Sequence, residues 1–174
     1  IELFRTLEQR LGHKEVIAED LGMMTDTVRQ LVKDSGYPNM KVLGFAFDPT
    51  GTSEHLPHNY EKNCVCYTGT HDNETLMQMY DGMNKKTLAF ATDYLNNAHS
   101  TRDEIKWDFI RLAMLSVADT CIVPMQDYLG LGQEARMNFP STTGNNWKWR
   151  VGKEDLTKQL AKEILHLTKL SCRL

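Results

Sequence analysis

Two short acidic motifs each follow a strand-like apolar run, and their residue types can carry out chemistry. Glu19-Asp20 follows the apolar run 16–18, and His71-Asp72 follows the run 65–67. The carboxyl ends of parallel strands gather at one edge of a sheet, so both motifs are expected at one rim. Two carboxylates at one rim can divide proton transfer and charge stabilisation at a sugar bond between them.

Each motif also fits a purely structural role. Side chains alternate along a strand, so only one of Glu19 and Asp20 can face the rim, and the pair could instead cap the following turn. His71 beside Asp72 can bind a hydroxylated ligand, but the same segment suits an Asx-turn and a helix cap before Glu74. Residue types alone leave both interpretations open.

A metal site is a further interpretation, because five potential ligands share one stretch of the chain: His55, His58, Cys64, Cys66 and His71. The two cysteines would share one face of a strand, but zinc sites usually use a Cys-x₂₋₄-Cys spacing. The loop with Gly130 and Gly132 lacks the lysine and the spacing of a P-loop. We therefore predict no metal and no cofactor.

Four aromatic residues fit either a sugar-binding surface or a core. Trp147 and Trp149 lie two positions apart and could form a platform for a sugar ring, although packing of the last segment on the core is favoured. Phe45 and Phe47 are expected to point the same way at the end of a strand. Either phenylalanine could line a sugar subsite, and either could pack in the core.

Strand-like and helical segments alternate along the chain. Apolar runs predict strands at 15–18, 40–47, 64–68 and 120–124, and 40–47 is apolar enough for a strand buried on both faces. Helical spacing predicts helices at 1–11, from Thr25 or Asp26 to the break at Gly36, and at 74–79, 86–96, 102–119 and 154–170. This order predicts an α/β fold with about four parallel strands and right-handed crossovers. Four strands make a small open sheet or half of a closed eight-stranded barrel, which takes about 250 residues.

Composition narrows the class of protein. The 174 residues are 41% hydrophobic and 25% charged, with a net charge of −3, so we predict no nucleic-acid partner and no membrane partner. No linker divides the chain, so residues 1–174 are expected to form a single segment.

The four cysteines are expected as reduced core residues in a reducing compartment, which predicts a cytoplasmic location. The chain begins at Ile1 inside a helical pattern, which fits a piece of a longer protein or a trimmed N-terminus.

Read together, several segments closely resemble the amylomaltase, or 4-α-glucanotransferase, family of the α-amylase clan. They occur in the family's order over roughly residues 1–152, while the last helix, from Lys153, matches only loosely. The runs are VIAEDLGMMTDTV, GYPNMKVLGFAFD, HLPHNY, VCYTGTHDNET, RLAMLSVADTCIVPMQDYLGLGQEARMNFP and NNWKWRV. The resemblance implies the C-terminal half of a (β/α)8 barrel, with Glu19 ending the fifth strand and Asp72 the seventh.

The resemblance also implies an activity. The family cleaves an α-1,4 bond in a maltooligosaccharide or a starch-like α-glucan and passes the glycosyl part to the 4-hydroxyl of another sugar. It implies that Glu19 is the general acid/base and Asp72 the transition-state stabiliser. It implies substrate contacts from His71, Phe45 and Asn138. Two alternatives stay open, an α-glucan hydrolase with the same site and a catalytically silent glucan-binding fragment.

The chain departs from the family pattern at one catalytic position. The family's nucleophile is an aspartate within an Arg-x-Asp-His segment on the fourth strand, and this chain contains no such segment. We therefore expect the chain alone to be inactive. A half barrel has open sheet edges and exposed apolar faces, so its outer strands should lie at an edge or pair with another copy or with the missing N-terminal half.

Overall fold

The computed structural model describes residues 1–97 and 100–174. Over these residues helices and strands follow one another in the order α1 (Glu2–Leu11), α2 (Asp26–Ser35), β1 (Asn39–Val42), β2 (Cys64–Tyr67), α3 (Leu76–Asp81), α4 (Lys85–Tyr94), α5 (Arg102–Met114), β3 (Thr120–Ile122), α6 (Met125–Tyr128) and α7 (Lys158–Leu170). Short 3-10 turns lie at Leu43–Phe45, Pro57–Asn59 and Gln133–Ala135.

The strands form one parallel sheet in the order β1-β2-β3. Asn39 pairs with Cys64 at one end, and Cys66 pairs with Cys121 across the second interface. The connection from β2 to β3 contains α3, α4 and α5, as parallel pairing requires. The predicted α/β class with parallel strands is confirmed. β1 and β3 lie at the two edges of the described sheet.

The strand predicted at 15–18 is wrong, so the described residues contain three strands instead of the predicted four. Only Ala18 pairs, through one isolated parallel bridge to Asn39 and a 2.9 Å hydrogen bond from its amide to the carbonyl of Pro38. Val16 and Ile17 before it are exposed. Within the described residues this segment meets a partner only on its β1 side, which leaves it extended but without a ladder.

The strand predicted at 40–47 is shorter than expected. It ends at Val42, and the chain then turns, with the amide of Gly44 donating to the carbonyl of Thr68 at 3.1 Å. This turn sends Phe45 outward, 48% exposed, while Phe47 is buried with its ring 5.1 Å from that of Phe109. The prediction that the two phenylalanines point the same way is therefore wrong, because it assumed strand geometry.

The core lies between the sheet and the helices that follow β2. Its fully buried side chains include Leu43, Cys64, Cys66, Phe109 and Ile110. Cys64 and Cys66 carry free thiols and are buried, as predicted for small core residues. Cys121 is only half-buried, and the prediction is wrong for Cys172, which is exposed near the end of the chain.

Several helix boundaries were predicted closely because their caps are local. Thr25 caps α2 through a hydrogen bond from the amide of Val28, and Gly36 ends that helix in the left-handed region at φ 71°. By contrast, α5 ends at Met114 and not at 119, and α7 begins after its cap Thr157 and not at 154. Among the described residues, none of the helices is both long and apolar enough to cross a membrane.

Candidate active site

The carboxyl ends of the strands open onto a cleft of about 910 Å³. Glu19, Phe45, His71 and Asp72 all line this cleft, although they come from three separate segments of the chain. The structure thus brings both candidate carboxylates to one rim. The fifth candidate, Asn138, reaches the site through its contact with Asp72.

The Asp72 carboxylate is held from two sides. Oδ1 accepts a 2.6 Å hydrogen bond from the side-chain amide of Asn138 and lies 3.3 Å from Nε2 of His71. The backbone amide of Asp72 donates to the hydroxyl of Thr70 at 3.3 Å. The carboxylate remains about half exposed, so it keeps a surface on which to meet a ligand.

The bonds recorded in this loop do not form the predicted Asx-turn, and neighbours of Asp72 stabilise the turn instead. The side-chain oxygen of Asn73 accepts from the backbone amide and from the hydroxyl of Thr70, at 2.9 and 2.7 Å. The helix cap is Thr75, whose hydroxyl accepts from the amide of Gln78 at the start of α3. Because neighbouring residues stabilise the turn and cap the helix, the carboxylate of Asp72 is left facing the cleft.

The side chains of Glu19 and Asp20, the first acidic motif, point in different directions, as predicted. Asp20 turns away from the cleft, and its Oδ1 accepts a 2.8 Å hydrogen bond from the amide of Met40 in β1. Glu19 is exposed and lines the cleft. Burial raises the pKa of Tyr67 above its ordinary value, and the negative charge of Glu19 adds to this shift. Glu19 and Tyr67 both line the cleft.

The other histidines of the segment serve the scaffold. Nδ1 of His55 accepts a 3.2 Å hydrogen bond from the amide of Val42, and burial and the nearby Lys41 lower the pKa of His55. Nδ1 of His58 lies 2.9 Å from the hydroxyl oxygen of Tyr94. In the part of the chain that the structure describes, no three His, Cys, Asp or Glu side chains are grouped to hold a metal ion.

Trp147 lies outside the core, contrary to the interpretation that the sequence favoured. It is 52% exposed, and its ring stacks on His71 at a centroid distance of 5.0 Å and a tilt of 38°. Its φ of 64° and a 2.7 Å hydrogen bond from its amide to the carbonyl of Met137 fix the local turn. Trp149 is half-buried. An aromatic surface therefore borders the candidate site next to His71.

Sequence reasoning missed Asp127, which connects the loops around the cleft. It is 1% exposed, and its two oxygens accept from the amide of Leu76, at 2.8 Å, and from the hydroxyl of Thr68. Burial raises the pKa of Asp127 to about 6, against the lowering effect of these two bonds. Asp127 thereby joins α6 to the end of β2 and to the start of α3, on either side of the Asp72 loop.

Sequence reasoning also missed Arg136. Its guanidinium donates to the backbone carbonyl of Asp72 and to that of Asn138, both at 3.0 Å. No local pattern marks such a residue, because its partner Asp72 lies 64 positions away, in the loop that follows β2.

Comparison with known proteins identifies the family of this chain. A family model described as 4-alpha-glucanotransferase matches residues 1–156. The chain belongs to the 4-alpha-glucanotransferase family. The resemblance seen in the sequence segments is thereby confirmed. All five candidate residues lie inside the matched range.

Named relatives agree with this assignment. The chain is 42% identical over 172 residues to a 4-alpha-glucanotransferase of Clostridium butyricum, an alignment that covers 98% of this chain and 35% of that protein. It is 46% identical over 149 residues to a chloroplastic/amyloplastic 4-alpha-glucanotransferase of Arabidopsis thaliana, which covers 86% of this chain and 26% of that protein. The chain therefore spans between about a quarter and a third of the length of these relatives.

Solved structures give the same picture. The amylomaltase of Streptococcus agalactiae, solved in complex with acarbose, superposes with a TM-score of 0.91 at 36% identity, over 98% of this chain and 34% of that one. The amylomaltase of Corynebacterium glutamicum superposes with a TM-score of 0.67 at 18% identity, over 95% of this chain and 29% of that one, which supports the fold alone.

Proposed function

We propose that this chain supplies part of the active site of a 4-α-glucanotransferase that moves α-1,4-glucan segments between maltooligosaccharides. Residues 1–174 would form one segment, the C-terminal half of a (β/α)8 catalytic domain. The observation that carries the proposal is that Glu19 and Asp72 line the same cleft at the carboxyl ends of the strands. Acarbose in the complex of the Streptococcus agalactiae relative supports a sugar-like ligand for this cleft.

Glu19 is assigned the proton transfers. It protonates the glycosidic oxygen as the bond breaks, and it later removes the proton from the 4-hydroxyl of the acceptor sugar. Its exposed position on the cleft allows contact with both the leaving sugar and the incoming sugar. Asp20 cannot share this role, because its carboxylate is bound to the amide of Met40.

Asp72 is assigned the stabilisation of the oxocarbenium-like transition state. An ionised carboxylate there grips ring hydroxyls whose positions change as the sugar distorts. Asn138 and His71 hold its Oδ1 in place, so the group does not need to reorganise during the reaction. Asn138 then acts through Asp72 as well as on the substrate.

A retaining mechanism needs a third carboxylate as the nucleophile. No Arg-x-Asp-His segment occurs in the chain, so we propose that the nucleophile belongs to the part of a family enzyme that this chain does not span. The chain alone is then inactive. Its partner is the N-terminal part of the barrel.

Transfer instead of hydrolysis requires that a sugar outcompete water for the covalent intermediate. Apolar and aromatic rim residues favour this outcome, because they bind a sugar ring and exclude water. Phe45 and Trp147 are both about half exposed beside the site and are suited to this task.

We also propose that the protein functions inside the cell, in a reducing cytoplasm. Cys64 and Cys66 are free and buried, which suits a protein whose thiols stay reduced.

A chimeric enzyme tests the proposal. Residues 1–174 replace the matching third of the Streptococcus agalactiae amylomaltase, and the products formed from maltotriose are measured. A transferase yields glucose together with chains longer than maltotriose. Glucose and maltose alone would indicate a hydrolase, and a folded chimera without turnover would indicate a silent glucan-binding segment.

The chimera also tests the role of Glu19. Glu19→Gln keeps the side-chain shape but cannot exchange a proton, so kcat should fall by about 100- to 10,000-fold. Glu15→Gln is the matched control, since Glu15 is exposed on the same segment and does not line the cleft. Unchanged turnover in Glu19→Gln would overturn the assignment.

A further inference from the structure

Arg136 lies in the loop that carries Asn138 and reaches across to the loop that carries Asp72. Its Nη2 donates to the backbone carbonyl of Asp72 and its Nε to that of Asn138, both at 3.0 Å. Nη1 lies 3.8 Å from the carboxylate of Glu74, and the guanidinium carbon sits 4.4 Å above the centre of the Phe139 ring. One side chain therefore contacts the segments on both sides of the Asn138–Asp72 hydrogen bond.

We propose that Arg136 is a positioning residue for Asp72, an inference that rests on the proposed function. By holding both carbonyls, Arg136 sets the separation of the two loops, and the separation decides whether the Asn138 amide reaches Oδ1 of Asp72 at 2.6 Å. A displacement of about 1 Å at such a carboxylate is enough to cost about 100-fold in rate.

The geometry needs an arginine. A planar guanidinium presents Nε and Nη2 to the two carbonyls at once while its face rests on Phe139. A lysine carries one compact charge on a flexible stem, so it cannot reproduce the fork together with the stacking. Lysine at 136 would lose at least one of the two hydrogen bonds to the carbonyls of Asp72 and Asn138.

Arg136 acts through Asp72 more than on a ligand. Its side chain is only 14% exposed, and two of its three nitrogens already donate to backbone carbonyls. Two of its five N–H groups are committed to these carbonyls and Nη1 faces Glu74, so the protein itself fixes the orientation of the guanidinium at the edge of the cleft. A positioning role therefore predicts a loss in kcat with little change in KM, whereas a substrate contact predicts a rise in KM.

The test uses the chimeric enzyme with Arg136→Lys. We expect kcat for transfer from maltotriose to fall by about 100-fold while KM changes by less than about threefold. Arg173→Lys is the matched control. Arg173 also ties loops together, through the carbonyls of Met114, Ser116 and Asp119, but it lies outside the cleft. This control should lower Tm and leave kcat unchanged.

A second variant separates positioning from a general loss of structure. Arg136→Lys and Asn138→Ala act on the same carboxylate, so the double variant should lose little more than the worse single variant. Provided that the unmodified chimera transfers sugar, and so upholds the proposed function, four results would overturn the inference. They are additive losses in the double variant, an unchanged kcat in Arg136→Lys, a rise in KM alone, and a fall in kcat that only follows the fraction of folded enzyme. A folded unmodified chimera that transfers no sugar would overturn the proposed function, and this inference with it.

Discussion

The side-chain amide of Asn138 donates a 2.6 Å hydrogen bond to Oδ1 of Asp72, across 66 positions of the chain. Asp72 lies in the loop after β2, and Asn138 lies beyond β3 and α6. Loops that follow two neighbouring strands therefore converge on one carboxylate. This contact gives Asn138 a role in orienting the candidate stabiliser, in addition to the substrate contact that the resemblance implies.

Removing this amide should slow the reaction. In the chimera, Asn138→Ala leaves Oδ1 of Asp72 without its shortest partner, and kcat for maltotriose should fall by about 10- to 100-fold. Asn63→Ala is the control, because Asn63 donates a similar 3.0 Å bond, to the carbonyl of Gly36, at the opposite end of β2. Equal rates in the two variants would contradict the orienting role.

The exposed ring of Trp147 should matter for affinity. Trp147→Ala removes the aromatic surface beside His71, and KM for maltooligosaccharides should rise by about tenfold, since an aromatic contact contributes up to about 1.5 kcal/mol. Trp147→Phe keeps a ring at this position and should retain most of the affinity. Steady-state kinetics over a series of chain lengths measures the effect. A KM for the alanine variant equal to that of the unmodified chimera would show that no sugar contacts this ring.

The buried ammonium of Lys41 should depend on Glu54. The Lys41 side chain is 6% exposed, and its Nζ lies 3.1 Å from the Glu54 carboxylate, which Arg29 also contacts at 3.0 Å. Burial alone would raise the pKa of Glu54, but hydrogen bonds from Arg29 and Lys41 outweigh it and hold the pKa below its ordinary value. This pairing thus stabilises the fold above the ordinary carboxyl pKa and is lost as the pH falls through the lowered one.

Glu54→Gln should leave Lys41 as an uncompensated charge. The expected loss in the free energy of unfolding is about 2–3 kcal/mol, below the value for a fully buried pair because Glu54 is 43% exposed. Urea unfolding at neutral pH measures it. Adding Lys41→Met should recover most of the loss, whereas Glu8→Gln, at an exposed site, should change stability by less than about 0.5 kcal/mol. A double variant no more stable than Glu54→Gln would argue against a charge effect.

The free energy of unfolding should also depend on pH through the titration of Asp127. Its pKa of about 6 in the folded state lies above the ordinary 3.8, so the folded protein holds this proton more tightly than the unfolded chain does. The stabilisation is present at about pH 4 or below and is lost as the pH rises through about 6. Relative to Asp127→Asn, which cannot titrate, the unmodified protein should lose about 2 kcal/mol between about pH 4 and pH 7. Parallel pH profiles for the two proteins would refute this assignment.

Local sequence was enough for much of the fold. Apolar runs marked 64–68 and 120–124 as strands, and Thr25 and Gly36 marked the ends of α2, because burial patterns and caps depend on neighbouring residues. The strand predicted at 15–18 is wrong because a ladder needs a neighbouring strand to pair with. Phe45 points outward because the 3-10 turn at Leu43–Phe45 ends its strand early.

By itself the sequence determined the family, the parallel α/β class and the presence of Glu19 and Asp72 at the ends of apolar runs. Only the tertiary structure decided that Asp20 bonds to β1 while Glu19 faces the cleft. It also decided that Asn138 and Arg136 hold Asp72. The stacking of Trp147 on His71 is likewise a tertiary contact. The reason is physical. These roles are set by contacts between segments distant in the chain, and no periodicity or spacing within a single segment encodes which distant loops meet.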